Sequence, residues 1–380
     1  MNISIVNSKK SIIQLVLFLS INALYILKYV SRTGFNPYLA LSIYLVLFLI
    51  FFGVYIKTLK ISEKAYKFIY WGLIILMLAS ISVLLIAIDP NTIRVDRWSA
   101  LTFFWDSIFQ GNYPYATHTH VSVTNFASPF PLWHLMMLPF YLLKDVGTEL
   151  IFFLIFLAYV LKYYFSTYRK SLFFLSMLCI SPAYWWEIAA RSDGMSNAWL
   201  VFIIILWLDK NNRNLSNSFA IGALICGIIA STRLSALLPL ALFFFQPYLK
   251  LSVKQKILFP IIVFCIALIS FLPFIFWDTN TWIFFSRNPF MSQTGNGNIY
   301  TLIIMMALGL ILALKWKNVE QFFFVTSIFI FLFMLSAQIM RIVNAGEGNL
   351  FSDAICDISY FNLSLPYFLA YLTTTLNIQH

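Results

Sequence analysis

A few carboxylates and arginines hold most of the chemistry open to this chain. Asp96 stands in the polar stretch Asp89-Pro-Asn-Thr-Ile-Arg-Val-Asp96-Arg97-Trp98. One carboxylate beside a reacting hydroxyl suffices for proton abstraction, so Asp96 is a candidate general base. The alternative is a surface aspartate paired with Arg94 or Arg97. A second cluster reads Tyr184-Trp-Trp-Glu187-Ile-Ala-Ala-Arg191-Ser192-Asp193. Glu187 and Arg191 are four apart, the spacing of a helical ion pair, and Arg191 with Asp193 would make a local one. Asp193 could instead share a cavity with Asp96. Ser231-Thr232-Arg233 separates two apolar runs. Burying an arginine near mid-membrane costs about 2.5–3.5 kcal/mol on insertion scales. Its forked, permanent charge suits phosphate, and the alternative is a side chain snorkelling to the surface. Arg287 and Arg341 are either further phosphate contacts or ordinary loop charges.

Other polar segments offer less specific chemistry. Gly111-Asn-Tyr-Pro114-Tyr115 is a turn between aromatic rings. Such rings sit at a lipid interface or form a platform for a sugar or lipid. Two histidines, His118 and His120, have a spacing that is weak evidence for a metal, and no metal or other cofactor is assigned. The segment from Arg341 through Glu347, Asp353 and Asp357 to Tyr360 is another polar stretch. Cys179, Cys226 and Cys265 lie in apolar runs and Cys356 in a loop, so no disulfide or zinc site is expected. No nucleotide-phosphate loop or serine-nucleophile elbow is present, which argues against an ATP-driven pump.

The elements that must position these groups follow from composition. Of 380 residues, 61% are hydrophobic and 10% charged, against about half and a quarter in a soluble domain. Soluble, disordered, disulfide-rich and coiled-coil classes are excluded. The net charge of +11 reads as lysines and arginines at cytoplasmic span ends, with no nucleic-acid partner. At about 20 residues per crossing, apolar runs near 11–30, 38–57, 67–88, 149–167, 171–186, 194–208, 218–231, 235–248, 257–276, 299–314, 319–340 and 358–376 predict about twelve transmembrane helices. The expected fold is an all-α polytopic membrane protein, one transmembrane domain over 1–380. The first run is expected to stay in the mature protein as a span. With both termini cytoplasmic, most of the 25 basic residues fall inside. All acidic residues but Glu63, Asp209 and Glu320 then fall outside. The largest outer loop is 89–148. Its run 131–143 reaches about 20 Å as helix, short of a core about 30 Å thick, and is expected to be re-entrant or juxtamembrane.

The order of these features resembles the GT-C class of membrane glycosyltransferases, in particular the mannosyl- and arabinosyl-transferring members. The likeness rests on Asp96 followed by Gly111 and Pro114-Tyr115, and on Ser128-Pro-Phe-Pro-Leu132. It continues with Ser181-Pro182 leading to Arg191-Ser192-Asp193, then Ser231-Thr232-Arg233, Leu272-Pro-Phe274 and Asp357-Ile-Ser-Tyr360. It covers roughly residues 67 to 376. It implies sugar transfer, with inversion, from a polyprenyl-phosphate donor to an acceptor hydroxyl at the extracytoplasmic face. Asp96 would be the base, Asp193 would line the same cavity, and Arg233 with Arg287 would hold the phosphate. The remaining candidates for cavity and acceptor contacts are Arg97, Tyr115, His118, His120, Glu187, Arg191 and Tyr360. Ser128 stands where some relatives carry a basic residue, and two spans rather than one precede Asp96.

The resemblance implies a polyprenyl-phosphate sugar, a glycan, lipid or protein acceptor and the bilayer as partners, and a bacterial plasma membrane as the location. Two other classes remain open: a flippase or carrier for a lipid-linked glycan, and a polysaccharide polymerase. A carrier would need polar residues through the full depth of several spans. Here the polar residues gather at the outer ends, and 257–276 and 319–340 are nearly all apolar.

Overall fold

The computed structural model describes residues 9–57, 61–294, 298–345 and 357–375. Glu347, Asp353 and Cys356 lie outside the described residues. Within them the chain is helical and has no β-strand; one isolated bridge joins His118 and Phe126. The helices are α1 (Lys9–Val30), α2 (Pro37–Lys57), α3 (Glu63–Ala87), α4 (Arg97–Phe109), α5 (Pro131–Leu142), α6 (Glu149–Phe165), α7 (Tyr168–Cys179) and α8 (Pro182–Ala189). They continue as α9 (Asp193–Lys210), α10 (Phe219–Ala230), α11 (Leu237–Leu249), α12 (Val253–Ile275), α13 (Pro289–Thr294), α14 (Ile299–Ala313), α15 (Val319–Ala345) and α16 (Leu365–Thr374).

Each expected apolar run coincides with helix, but the runs differ in length. Among the described residues, six helices are long and apolar enough to cross a membrane: α1, α2, α3, α12, α15, and α6 with the turn before it. A seventh arises if α7 and α8, bent by 66° at their break, form one span. Ser181 caps α8 by accepting the Tyr184 N–H, and Pro182 follows at its first position. Proline has no N–H to carry α7 onward, which explains the break inside the 171–186 run. The 358–376 run divides likewise into a 3₁₀ turn, Ile358–Leu363, and α16, with Pro366 near its start. Helices α10, α11 and α14 are apolar but shorter. The expected count of about twelve is therefore larger than the number of long apolar helices.

Sequence chemistry sets several of the ends. Ser252 and Gln255 form a reciprocal capping box at α12. Ser62 and Thr167 cap α3 and α7. The core is aromatic: Phe174 and Phe202 stack with ring centroids 5.7 Å apart, and Tyr367 meets Phe202 edge-on at 5.5 Å. Only 6% of the α2 and α12 apolar windows is buried. Two helices with apolar side chains turned outward suit a hydrocarbon surround. The 131–143 run forms α5, 12 residues long. It lies with α4 in the stretch between α3 and α6.

Candidate functional site

A tight turn delivers Asp193. After α8, Arg191 adopts φ +51°, and the Ser192 N–H returns to the Glu187 carbonyl at 2.9 Å. The Arg191 guanidinium holds Asp145 at 2.9 Å and donates to the carbonyls of Leu85 and Ile88 at 2.7 and 3.2 Å. A cation at these last carbonyls of α3 satisfies acceptors the helix leaves open. Asp193 then begins α9. Neither local pairing weighed for Arg191, with Glu187 or with Asp193, forms. Asp145 takes it, because the left-handed turn points the side chain back toward α3.

Arg233 is delivered from the opposite side. Helix α10 ends at Ala230, and the next residues are tied down. Asn197 donates to the Thr232 hydroxyl at 3.0 Å. The Phe130 and Leu132 N–H groups donate to the carbonyls of Thr232 and Ser231 at 2.9 and 3.2 Å. Gln293 clasps the same region, donating to the Ser128 carbonyl at 2.5 Å and accepting the Leu234 N–H at 2.9 Å. Arg233 is thereby brought onto Asp193, and the two form a buried ion pair.

Asp193 and Arg233 sit in the wall of a cavity of about 500 Å³. Asp96, Arg97, Arg341 and Tyr360 line it too. Six of the candidates, drawn from positions spread between 96 and 360, therefore share one space. Asp96 precedes α4 and makes no capping bond to it. Its Oδ2 accepts from Asn125 at 3.0 Å. No ion pair of Asp96 with Arg94 or Arg97 forms among the described residues. Arg97 turns to other partners: the Ser192 hydroxyl at 2.9 Å, Asp357 at 3.2 Å and Glu187 at 3.6 Å. Glu187 lies behind Arg97, where it accepts the Tyr25 hydroxyl at 2.5 Å. Asn362 in turn donates to that hydroxyl at 2.8 Å.

Six candidates lie outside the lining. Glu187 and Arg191 are buried behind the wall in the contacts just given. Tyr115 is buried against Phe104 and Phe274 and donates to the Pro129 carbonyl at 3.2 Å. His118 is exposed beside Phe126. His120 is held by Ser99 at 2.6 Å and the Ile93 carbonyl at 3.0 Å. Both ring nitrogens of His120 are thus engaged, and no group of three metal-ligating side chains occurs among the described residues. Arg287 is also off the lining, exposed, with its guanidinium 4.5 Å over the Phe126 ring.

Four charged lining residues were not among the candidates: Lys28, Arg32, Arg94 and Asp357. Lys28 and Arg32 are four apart, in the last turn of α1 and just after it, with Tyr29 between them also lining the cavity. A lysine late in an otherwise apolar run, followed by an arginine one turn on, was the available signal. Burial pushes the Asp357 carboxyl up, but Arg97, the Ser359 N–H and Arg341 outweigh it and hold the carboxyl below its usual range. The lining carries six cationic side chains against three carboxylates, a surplus that favours an anion.

A second space of about 520 Å³ lies alongside. Phe130, Leu234 and Phe290 line it, and they neighbour in sequence Ser128, Arg233 and Met291 of the first. Most of its other walls come from α12, including Val263, Ala267 and Phe271, with Ala230, Leu237 and Phe284 completing them, and every lining residue is apolar. No family model, curated protein or solved structure matches this chain.

Proposed function

We propose that the protein transfers a sugar from a polyprenyl-phosphate donor to an acceptor hydroxyl at the extracytoplasmic membrane face, as a glycosyltransferase resembling the GT-C class. The observation that carries the reading is the adjacency of two spaces: a cavity rich in cations and holding Asp96, and an apolar groove walled by the sequence neighbours of Arg233 and Met291. A donor with a phosphate head and a long hydrocarbon chain needs both. Cations at the cavity stabilise the phosphate as it departs, because charge grows on it in the transition state.

In this reading Asp96 takes the acceptor hydroxyl proton as the acceptor oxygen forms its bond to the anomeric carbon. The bond from that carbon to the phosphate oxygen breaks, and polyprenyl phosphate leaves with the electron pair. A single displacement inverts the anomeric centre. Arg341, with Lys28, Arg32 and Arg94, supplies charge to the phosphate. Arg233 acts from within its pair with Asp193.

The test is transfer from a panel of radiolabelled polyprenyl-phosphate sugars in reconstituted vesicles. Wild type is compared with Asp96→Asn, with donor binding measured for both. Transfer that collapses in the variant while donor binding persists supports the reading. Equal transfer by the variant removes Asp96 as base. Donor that crosses the bilayer without transfer assigns the protein to the carriers instead.

A further inference from the structure

The one side-chain donor to the Asp96 carboxylate among the described residues is Asn125, at 3.0 Å. Asn125 belongs to a small closed loop. The bridge between His118 and Phe126 shuts its ends. Inside it the Thr119 N–H donates to the Asn125 carbonyl at 2.9 Å, and the Asn125 N–H donates to Ser122 at 3.1 Å. The backbone of Asn125 is thus held at both its N–H and its carbonyl, and its side chain is left for Asp96.

The loop is also pinned to the segment that carries Asp96. His120 bridges to both sides of that residue. Its Nε2 donates to the Ile93 carbonyl at 3.0 Å, which places the proton on Nε2 and leaves Nδ1 to share with the Ser99 hydroxyl at 2.6 Å. The His120 N–H donates to the same hydroxyl at 3.3 Å. Thr117 meets Ser107 of α4 at 2.5 Å. Two attachments to α4 and one to Ile93 therefore fix the distance between Asn125 and Asp96. A base must be held within a few tenths of an ångström of its working place.

We propose that Asn125 is a positioning residue for Asp96, with His120 as the clamp that sets it. The inference rests on the reading of Asp96 as the base. A neutral amide donor binds one carboxylate oxygen, fixes the plane of the group and leaves the other oxygen to receive the proton. An arginine there would pair with the carboxylate and weaken it as a base. Arg97, the nearest in sequence, is instead turned to Ser192, Glu187 and Asp357. The other charges facing the same cavity are Lys28 from α1 and Arg32 just after it, Arg94 from the loop before α4, Asp193 with Arg233, and Arg341 with Asp357. They set a common background that a change at Asn125 leaves in place.

The experiment uses the full chain in reconstituted vesicles and the radiolabelled polyprenyl-phosphate hexose that wild type transfers fastest. Wild type, Asp96→Asn, Asn125→Ala and Asn125→Asp are compared for kcat, donor KM, the pH profile of kcat and thermal unfolding. With Asn125→Ala the expected kcat is about tenfold lower at pH 7, and the acid limb moves up by about one pH unit, the worth of one hydrogen bond to a charged group. Donor KM and the unfolding midpoint stay at wild-type values. Asn125→Asp moves the limb further in the same direction, since a like charge opposes ionisation of Asp96. If Asp96→Asn abolishes transfer while both Asn125 variants keep the wild-type rate and limb, the inference is wrong and the functional reading survives. A lower kcat with an unmoved limb likewise overturns positioning in favour of a packing role. If Asp96→Asn transfers normally, the reading beneath the inference fails first.

Discussion

The Asp193 carboxylate closes onto the Arg233 guanidinium across 40 residues of chain, in a buried ion pair at the cavity wall. It joins the start of α9 to the end of α10. Removing one partner of a buried pair strands the other charge and costs about 3–5 kcal/mol. Asp193→Ala and Arg233→Ala should each lower the thermal unfolding midpoint of the detergent-purified protein clearly. Asp193→Leu combined with Arg233→Met should recover much of the loss, because no charge is left stranded. Transfer activity should be absent in all three. Single variants that melt with wild type would show that the pair is not a structural tie.

How much of this arrangement is legible in the sequence depends on the range of the interaction. Helical class and the positions of the apolar runs follow from local composition, and each run does fall on helix. Whether a run crosses alone or is broken depends on single prolines such as Pro182, which a sliding window averages away. Asp96, Asp193, Arg233 and Arg341 stand out because charge next to apolar runs is costly and rare. Lys28 and Arg32 escape notice because a basic residue at a span end is ordinary. Only their proximity to residues hundreds of positions later makes them part of the cavity. The partner of Arg191 is hidden from the sequence for the same reason, since Asp145 is 46 residues away while Glu187 stands at helical spacing.

Arg97 is the hub between α4, α8 and the turn before α16, through Ser192, Glu187 and Asp357. Lysine has a point charge and cannot span these three partners as a planar fork does. Arg97→Lys should therefore lower the unfolding midpoint nearly as much as Arg97→Ala. A double-mutant cycle with Glu187→Gln should return a coupling of about 1 kcal/mol or more. Additive effects would mean that Arg97 and Glu187 act independently.

The apolar groove makes a prediction about chain length. Ala267 lines it from α12. Ala267→Trp should fill it without touching the charged cavity. Donor KM should rise about tenfold or more for a long polyprenyl-phosphate sugar, since each buried methylene is worth about 0.8 kcal/mol. A short-chain donor should be affected little. Equal changes for both chain lengths would place the hydrocarbon elsewhere.

His134 predicts a pH dependence of stability. It is fully buried on α5, stacked on Phe104 with ring centroids 3.5 Å apart. Burial, and then the charge of Arg233, hold the imidazole well below its ordinary value of 6.5. The folded protein thus keeps His134 neutral at a pH where the unfolded chain binds a proton. By linkage, stability is level above about pH 6.5 and falls as pH drops below it, by up to about 1.4 kcal/mol per pH unit. The measurement is a difference between wild type and a variant that lacks this imidazole. Unfolding midpoints of wild type and His134→Leu are compared from pH 8 to pH 5. The wild-type midpoint should fall more steeply below pH 6.5 than that of the variant. Parallel curves would show that His134 takes its proton in the folded protein as readily as in the unfolded one.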